Sequence, residues 1–298
     1  MREPDVARER RHTLYFLHEV EQQAPVFLDA EVDMTRIREL RTEARSRGAE
    51  YSTVSFVLLA TARALAKHPA ANAAARGRRR LKVLRFEEIS GKLTLDKTVN
   101  GQRVVLSAVL PGLGTATLDE VQRRIDRYRV GDGDVLPEFA NARALHALPR
   151  PIGAALYRRA VRPLARRPAI TGTFSVTSLG HRPVDGFYST GGTTITVGVG
   201  RTQERAVVRD GQLAIAPTLR LSLTFDHRVI DGAEAADLLA DLKTELEQFP
   251  ALVPTSTPAS VDGGAADAEQ TSTPEQAREQ VPDQAPDLAA DRTGAAAR

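Results

Sequence analysis

The segment Asp226-His227-Arg228-Val229-Ile230-Asp231-Gly232 places an aspartate four residues after a histidine, and these two side chains could do proton chemistry. Histidine changes charge near neutral pH, so it is well suited to take a proton from a reacting group. The alternative is a histidine that only packs against a neighbouring element or caps it. The segment alone leaves both interpretations open.

The rest of the sequence narrows the chemistry that His227 could serve. There are no cysteines, which excludes disulfides, thiolate metal ligands and a cysteine nucleophile. None of the six histidines forms a close pair with metal-ligand spacing such as H-E-x-x-H, so we expect no metal site. The G-x-S-x-G turn of serine hydrolases is also absent from the sequence. What remains is a general base acting on an external nucleophile, without a covalent enzyme intermediate.

A row of hydroxyl side chains is a second candidate feature. Thr173, Ser175 and Thr177 alternate with Phe174 and Val176, so a strand here would carry its hydroxyls on one face. Such a face is either a polar surface toward solvent or a source of a hydroxyl that stabilises a developing oxyanion. The second interpretation requires that His227 lie nearby.

Regular elements flank His227 and would hold it in place. Alternating apolar residues from Leu219 to Phe225 predict a half-buried strand before it. Apolar residues three or four apart from Ala235 to Phe249 predict a helix after it. Earlier segments predict a strand from Val26, a helix from Met34, and a central helix that begins after Ser52 as its N-cap.

The remaining elements decide the fold class. Strands are predicted at residues 82–86, 92–96, 104–110, 171–179 and 193–199, a surface helix at 118–128, and a hairpin around Gly211 that joins 207–208 to 213–215. Strands and helices do not alternate regularly. We therefore predict an α+β fold, a two-layer sandwich with a mixed β-sheet.

Charge and composition divide the chain into a folded region, residues 1–250, and a tail, residues 251–298. The tail holds eight acids against three arginines, which gives it a net charge of −5. Since the whole chain has a net charge of +3, residues 1–250 carry a net charge of +8. Because the tail is rich in Ala and Pro with few large apolar side chains, we expect it to be disordered. The first residues are charged, and no apolar run approaches the ~20 residues of a membrane span, so the cytoplasm is the expected compartment.

Four segments carry a resemblance to a known family. Residues 226–233 have the pattern D-H-R-x-x-D-G-A, and residues 172–180 the pattern G-T-F-S-V-T-S-L-G. Residues 30–35 (A-E-V-D-M-T) and 198–201 (G-V-G-R) complete the set. In this order they resemble segments of the catalytic domain of 2-oxoacid dehydrogenase dihydrolipoamide acyltransferases, a family that shares its fold and H-x-x-x-D-G motif with chloramphenicol acetyltransferase. The resemblance implies a chloramphenicol acetyltransferase-like catalytic domain over residues 1–250.

The resemblance also implies a reaction. His227 would deprotonate a thiol, hydroxyl or amine acceptor, which would attack the thioester carbonyl of an acyl-CoA or acyl-lipoyl donor. Coenzyme A would thus enter as a thioester substrate, and no covalently bound cofactor is expected. The family's oxyanion-stabilising serine aligns with Thr177, whose hydroxyl can take the same role at a typical worth of ~3 kcal/mol of barrier. Ser178 is the neighbouring alternative.

The aspartate of the motif has a different implied role. Four-residue spacing does not fix Asp231 to the His227 imidazole. The family pairs this aspartate with an N-terminal arginine, for which Arg10 or Arg11 is the best match, and orients the histidine ring through its own carbonyl. We therefore expect Asp231 to act structurally and electrostatically, followed by the retained Gly232.

The family also implies a homotrimer, because its histidine faces the donor hydroxyl of the neighbouring subunit. This chain begins almost at the catalytic domain, without lipoyl or subunit-binding domains, and its tail is polar. An isolated trimer is the expectation.

Residues 130–170 form a segment longer than its family counterpart. Seven apolar residues from Leu145 to Leu164 are interspersed with arginines, which predicts a basic amphipathic insertion. Residues 145–167 could lie on an anionic membrane surface, the insertion could cover the acyl pocket, or it could pack as an extra helical hairpin.

A separate basic run comprises Arg76, Arg78, Arg79 and Arg80. It lacks interleaved aromatic residues, so we do not expect nucleic-acid binding. It is either a solvated turn or a surface that attracts CoA phosphates.

Two functions from different classes follow. The first is an acyl-CoA-dependent acyltransferase that acts on a small-molecule or lipoyl acceptor. The second is a non-catalytic trimeric scaffold or regulatory protein that keeps the fold. Retention of His227, Asp231, Gly232 and a hydroxyl at Thr177 favours the enzyme.

Overall fold

The computed structural model describes residues 6–77 and 80–252. The predicted disordered tail therefore lies almost entirely outside the described residues, as do Arg78 and Arg79 of the basic run. The helices and strands follow one another as α1 (Arg11–Val20), β1 (Pro25–Asp33), α2 (Thr35–Ser46), α3 (Thr53–Lys67), β2 (Ala73–Arg76), β3 (Lys82–Arg85), β4 (Gly91–Val99), β5 (Gln102–Leu110), α4 (Leu118–Val130), α5 (Ala140–Ala147), α6 (Arg150–Val161), α7 (Arg167–Ile170), β6 (Phe174–Ser178), β7 (Ile195–Arg209), β8 (Gln212–Asp226) and α8 (Gly232–Glu247).

Six strands form one mixed sheet in the order β1-β8-β7-β6-β4-β5. The pairs β4–β6 and β6–β7 are parallel, and the other three pairs are antiparallel. Strands β2 and β3 pair separately. The predicted α+β fold with a mixed sheet is confirmed.

Alternation along the strands gives the sheet two chemically different faces. Phe174, Val176, Leu223 and Phe225 belong to the hydrophobic core, and each is at most 1% exposed. The alternate positions carry hydroxyl and charged groups, because successive side chains of a strand point to opposite faces. Helices α2, α3, α4 and α8 cover the apolar face.

Helix α3 is the central element of this layer. Its predicted N-cap is confirmed, since the Ser52 side chain accepts a hydrogen bond from the Ser55 backbone N–H at 3.2 Å. Ten of its residues are buried, which agrees with a helix that is apolar almost all round. It packs against α4, α8 and β6.

The polar face lies under the segment that joins β6 to β7, residues 179–194. Ser222 donates to the Phe187 carbonyl, and the Gly191 N–H donates to Thr196 Oγ1 at 2.8 Å. A Cβ at Gly198 would lie 1.9 Å from the Phe187 carbonyl oxygen, so only glycine allows the segment to approach β7 this closely. Close packing therefore explains why residue 198 is a glycine.

The residues from 130 to 170 form helices α5, α6 and α7, and α5 and α6 pack against α1. Arg11 of α1 donates to the carbonyls of His146 (2.8 Å) and Leu148 (2.6 Å). Tyr15 lies against Gly153 and 6.1 Å from the Tyr157 ring. These contacts support the packed helical hairpin among the three predicted alternatives. No helix in the described part of the chain is long and apolar enough to cross a membrane.

Candidate active site

His227 follows directly on β8, and its backbone is held in place. Its N–H donates to the Ala24 carbonyl at 2.8 Å, which joins the end of β8 to the turn before β1. The side chain is 46% exposed, and its ring lies 5.5 Å from the Phe225 ring. A fixed backbone with a half-exposed imidazole meets the geometric requirement for a base that acts on an external molecule.

The residues on either side of His227 strengthen this anchorage. Asp226 is 3% exposed and accepts two hydrogen bonds from Arg228, at 2.9 and 2.5 Å, and one from the Ala24 N–H at 3.3 Å. Burial raises the pKa of Asp226, but the Arg228 guanidinium and these N–H donors outweigh it and hold the pKa below its usual value. The Asp226–Arg228 pair is therefore ionised and fixes the turn that carries the histidine.

Asp231 begins helix α8 as its N-cap residue, and its side chain is 89% exposed. Its Oδ1 lies 3.5 Å from His227 Nδ1, too far for a good hydrogen bond. An added Cβ at Gly232 would contact no atom within 4 Å in this chain. The glycine of the motif thus has no steric cause within one protomer.

Within the described part of this chain, Asp231 forms no ion pair with Arg10 or Arg11. Arg11 donates to the two insertion carbonyls described above, and Arg10 is exposed. Both arginines lie at the start of α1, whereas His227 contacts Ala24 beyond its far end, and a ten-residue helix spans about 15 Å. The hydrogen-bond partners of Arg11 belong to the insertion. The resemblance to the family gave no indication of these contacts.

Thr177 lies on the polar face of β6, as its alternation predicted. Its Oγ1 accepts a hydrogen bond from Thr94 Oγ1 at 2.8 Å. Because Thr94 donates, Thr177 keeps its own hydroxyl proton for another acceptor. Our sequence interpretation missed Thr94, although the alternation of Lys92, Thr94 and Asp96 with apolar neighbours in β4 places it on the same face.

Ser178 does not share the position of Thr177. It is paired with Val199, a core residue, so it points to the helix-covered face. There it lines a cavity of about 470 Å³ together with Ser52, Gln122 and Arg129, and its Oγ accepts from the Gly180 N–H at 3.4 Å. Ser178 therefore cannot replace Thr177 without a change of strand register.

His227 and Thr177 are far apart in one chain. Thr177 pairs with Gly198, which in turn pairs with Ser222, five residues before His227. Five residues along a strand and two strand spacings across the sheet separate them by roughly 20 Å. A single protomer thus does not bring the predicted base and the predicted oxyanion donor together.

Within residues 6–77 and 80–252, no group of three or more histidines, aspartates and glutamates could hold a metal ion.

Comparison with known proteins gives a family match. The family model described as 2-oxoacid dehydrogenases acyltransferase (catalytic domain) matches residues 3–90 and 159–253, well over half of the chain. The residues between, 91–158, lie outside the match and include β4, β5 and most of the insertion.

Relatives and solved structures point the same way. A segment of 47 residues is 55% identical to the dihydrolipoyllysine-residue acetyltransferase component of the pyruvate dehydrogenase complex of Bacillus subtilis (strain 168), covering 16% of this chain and 11% of that protein. A segment of 57 residues is 46% identical to the dihydrolipoyllysine-residue succinyltransferase component of the 2-oxoglutarate dehydrogenase complex of Bartonella vinsonii subsp. berkhoffii, covering 19% and 14%. The matched segments thus span less than a sixth of either relative.

The fold is shared with a probable dihydrolipoamide acetyltransferase from Listeria monocytogenes 4b F2365, with a TM-score of 0.60 and 18% identity over 83% of this chain and 94% of that one. The family model covers both the strand of Thr177 and the turn of His227. The chain therefore belongs to the family of 2-oxoacid dehydrogenase acyltransferase catalytic domains.

Proposed function

We propose that this chain transfers an acyl group between a CoA or lipoyl thioester and a small-molecule or lipoyl acceptor, at sites shared between protomers of a homotrimer. The observation that carries the proposal is the distance between His227 and Thr177, both of which lie in segments typical of the family. Two groups that act on one reacting centre must lie within a few ångströms of it. A neighbouring protomer can supply the missing half.

In this mechanism His227 takes the proton of the acceptor. The nucleophile then attacks the thioester carbonyl, and the imidazolium returns the proton to the leaving sulfur as the tetrahedral intermediate collapses. Asp231, at 3.5 Å, stabilises the protonated ring electrostatically. The backbone hydrogen bond to Ala24 and the Asp226–Arg228 pair keep the ring in place.

Thr177 of the neighbouring protomer stabilises the oxyanion. Its hydroxyl is oriented by Thr94 and retains a proton to donate. Removing one such donor typically lowers the rate by about 10²–10³.

An exposed apolar stripe supports association of protomers. Val208, Leu213 and Ile215, on one hairpin of β7 and β8, are 74–78% exposed. Val208 and Leu213 are cross-strand partners, and Ile215 follows on the same face. Contiguous apolar side chains of this kind mark association surfaces, and a second copy of the chain is the partner that a trimer requires.

Release of free CoA tests the activity. The full chain is incubated with a panel of acyl-CoAs, with dihydrolipoamide and with small thiol, amine and alcohol acceptors. We expect CoA release that His227→Ala abolishes. Release no greater than that of His227→Ala with every acceptor would leave the non-catalytic scaffold as the function.

Mixed trimers test the shared site. Protomers with His227→Ala and protomers with Thr177→Ala are co-expressed with different tags, and the hybrid trimers are purified through both. Each variant alone lacks every complete site, whereas in a hybrid trimer purified through both tags one site of three has an intact histidine facing an intact threonine. Hybrids no more active than the single variants would contradict a site shared between protomers.

A further inference from the structure

A cationic cavity lies on the polar side of the sheet, apart from Thr177. It has a volume of about 310 Å³ and lies between α1, β2, β4 and the insertion helices α6 and α7. Five cationic residues line it: Arg76, Lys92, Arg162, Arg167 and Arg228. Glu19 is the one acid among the described lining residues.

Two of these cations are already neutralised. Glu19 lies 3.1 Å from Arg162, and Asp226 lies 2.5 Å from Arg228. Lys92, Arg167 and Arg76 have no carboxylate within 4 Å in residues 6–77 and 80–252. The cavity thus carries a surplus of positive charge that the described chain does not balance.

Lys92 is the most buried of these cations, since it is only 6% exposed. Its Nζ donates to the Gly191 carbonyl and lies 5.1 Å from the centroid of the Phe16 ring. Burial, with the charge of Arg167 in addition, lowers the pKa of Lys92 to about 8. An anion in the cavity would place an opposite charge beside this buried ammonium and stabilise its charged form.

Arg167 faces the cavity from the start of α7. Its Nε donates to the Val161 carbonyl at 3.1 Å, which orients the guanidinium plane. Burial and the nearby charge of Arg228 both lower its pKa. Arg167 and Lys92 therefore place like charges beside one space, an arrangement that an anion stabilises.

We infer that this cavity binds the phosphate monoester group of a small molecule, with Lys92 and Arg167 beside the phosphate. A phosphate monoester carries about −1.5 to −2 charges at pH 7, which matches the surplus better than a single carboxylate does. Phe16, Tyr157 and Val161 supply an apolar and aromatic wall for the organic part. Lys92 and Tyr157 lie in residues 91–158, outside the family match, whereas Phe16 and Arg167 lie within it.

Two sources carry this chemistry. CoA has a phosphate monoester on its ribose, which dephospho-CoA lacks, and a separate phosphorylated metabolite is the other source. Binding of either is measured without acyl transfer. Failure of the proposed function would therefore not affect the outcome here.

Isothermal titration calorimetry of the full chain tests the site, with inorganic phosphate as the first probe. We expect saturable binding that Arg167→Gln weakens roughly 10- to 100-fold, the usual loss of one charged hydrogen-bond partner. The matched control is Arg159→Gln, the same charge change on an exposed residue of α6 that does not line the cavity. Affinity should also fall as the pH rises from 8 to 10, because Lys92 loses its charge over a range in which inorganic phosphate is mainly the dianion.

CoA and dephospho-CoA then identify the source. If Arg167→Gln weakens CoA binding but leaves dephospho-CoA unaffected, the ligand is CoA. If both bind equally well to wild type and variant while phosphate still requires Arg167, the ligand is a separate phosphorylated molecule. Lys92→Met should show the same loss of phosphate binding with a fully folded protein. No saturable phosphate binding, or equal losses in Arg167→Gln and Arg159→Gln, would overturn the inference.

Discussion

The two faces of the six-stranded sheet show how one strand pattern serves two purposes. On the helix-covered face, Phe174, Val176, Val197 and Leu223 are fully buried side chains that contact other apolar groups. Their burial is the main favourable term in folding, at about 25 cal/mol per Å² of apolar surface. This face needs only residues that are apolar and of the right size.

The opposite face is also largely buried, but with polar groups. Ser175, Thr196, Ser222 and Thr224 are at most 4% exposed, and Lys92 is 6% exposed. Each hydroxyl must find a hydrogen-bond partner, because an unpaired buried polar group costs about 1–3 kcal/mol. The segment 179–194 supplies several of these partners, such as the Gly191 carbonyl for Ser175 at 3.3 Å.

The difference teaches where activity and stability are separable in this protein. Apolar burial on one face sets the free energy of unfolding. The polar face contributes little net stability for the same buried area, and it holds Thr94 of β4 and Thr177 of β6. Substitutions on the two faces of the same strand should therefore have different consequences.

The largest effect on stability is expected at Phe174. This side chain is 0% exposed, and its Cζ would lie 3.0 Å from a Cβ at Gly91, so it fills the space beside β4. Phe174→Ala should lower the free energy of unfolding by about 3–5 kcal/mol, measured by urea denaturation.

The matched control is Thr177→Val, three residues along on the other face. We expect it to change stability by less than about 1.5 kcal/mol, the usual net worth of a hydrogen bond. Acyl transfer should nevertheless fall by about 10²–10³. A Thr177→Val variant as unstable as Phe174→Ala would show that the polar face stabilises the fold as strongly as the core does.

A smaller effect, of opposite sign, is expected at Lys92. Its pKa falls from an ordinary 10.5 to about 8 in the folded chain, because it is buried and lies near Arg167. Between these pH values the unfolded chain binds more protons, so stability rises with pH from about 8 to 10.5 and is lowest below pH 8. The penalty below pH 8 is on the order of 3 kcal/mol.

Lys92→Met should remove this penalty. At pH 7 in phosphate-free buffer, we expect a gain of about 1–3 kcal/mol in urea denaturation, since the lost hydrogen bond to Gly191 offsets part of it. At pH 10.5 the gain should vanish. Lys82→Met, at an exposed position of β3, is the control and should change nothing at either pH. A destabilised Lys92→Met at pH 7 would mean that the Gly191 hydrogen bond outweighs desolvation.

Local patterns predicted the apolar face well. Core positions follow a period of two in β6 and β8 and a period of three to four in α8. These periods identify the core residues because each element buries one apolar side. The predicted hairpin around Gly211 is also confirmed, since Val208 lies opposite Leu213 and the glycine has a φ of +75°. Its strands, β7 and β8, are longer than predicted, since Thr202 to Arg205 are polar and pair beyond the core.

The polar face depended on contacts that no local pattern contains. Alternation in β4 places Lys92 on the same face as Thr94, but the burial of Lys92 follows from Phe16 and Gly191, which are distant in sequence. Arg11 is engaged by the insertion rather than by Asp231, because the carbonyls of residues 146 and 148 lie beside α1. The site itself requires a second protomer under our proposal, so a single-chain pattern cannot position its two halves together.

The junction between α1 and the insertion offers the smallest and most local test of the comparison. His12 of α1 and His146 of α5 share a hydrogen bond of 2.8 Å, and His12 Nε2 lies 2.8 Å from the Val105 carbonyl on β5. If His12 donates to Val105, its Nδ1 must accept from His146 Nε2, which leaves His146 Nδ1 without a proton. That atom is buried without a hydrogen-bond partner. Both rings are therefore neutral.

Acid should open this junction before the helix-covered core. Burial, and then the charge of His12, lowers the pKa of His146 to about 4 from its usual 6.5, and burial also lowers the pKa of His12. The unfolded chain binds more protons between these pH values, so stability is lost as the pH falls through this range, by about 2 kcal/mol for His146 from pH 7 to 5.

Hydrogen exchange should show α5 and α6 losing protection at pH 5 while β6 and β8 keep it. His146→Gln, which retains a donor for His12 without titrating, should remove this pH dependence, whereas His18→Gln at an exposed position of α1 should leave it unchanged. Equal loss of protection in the insertion and the core would show that the two sides of the sheet unfold as one unit.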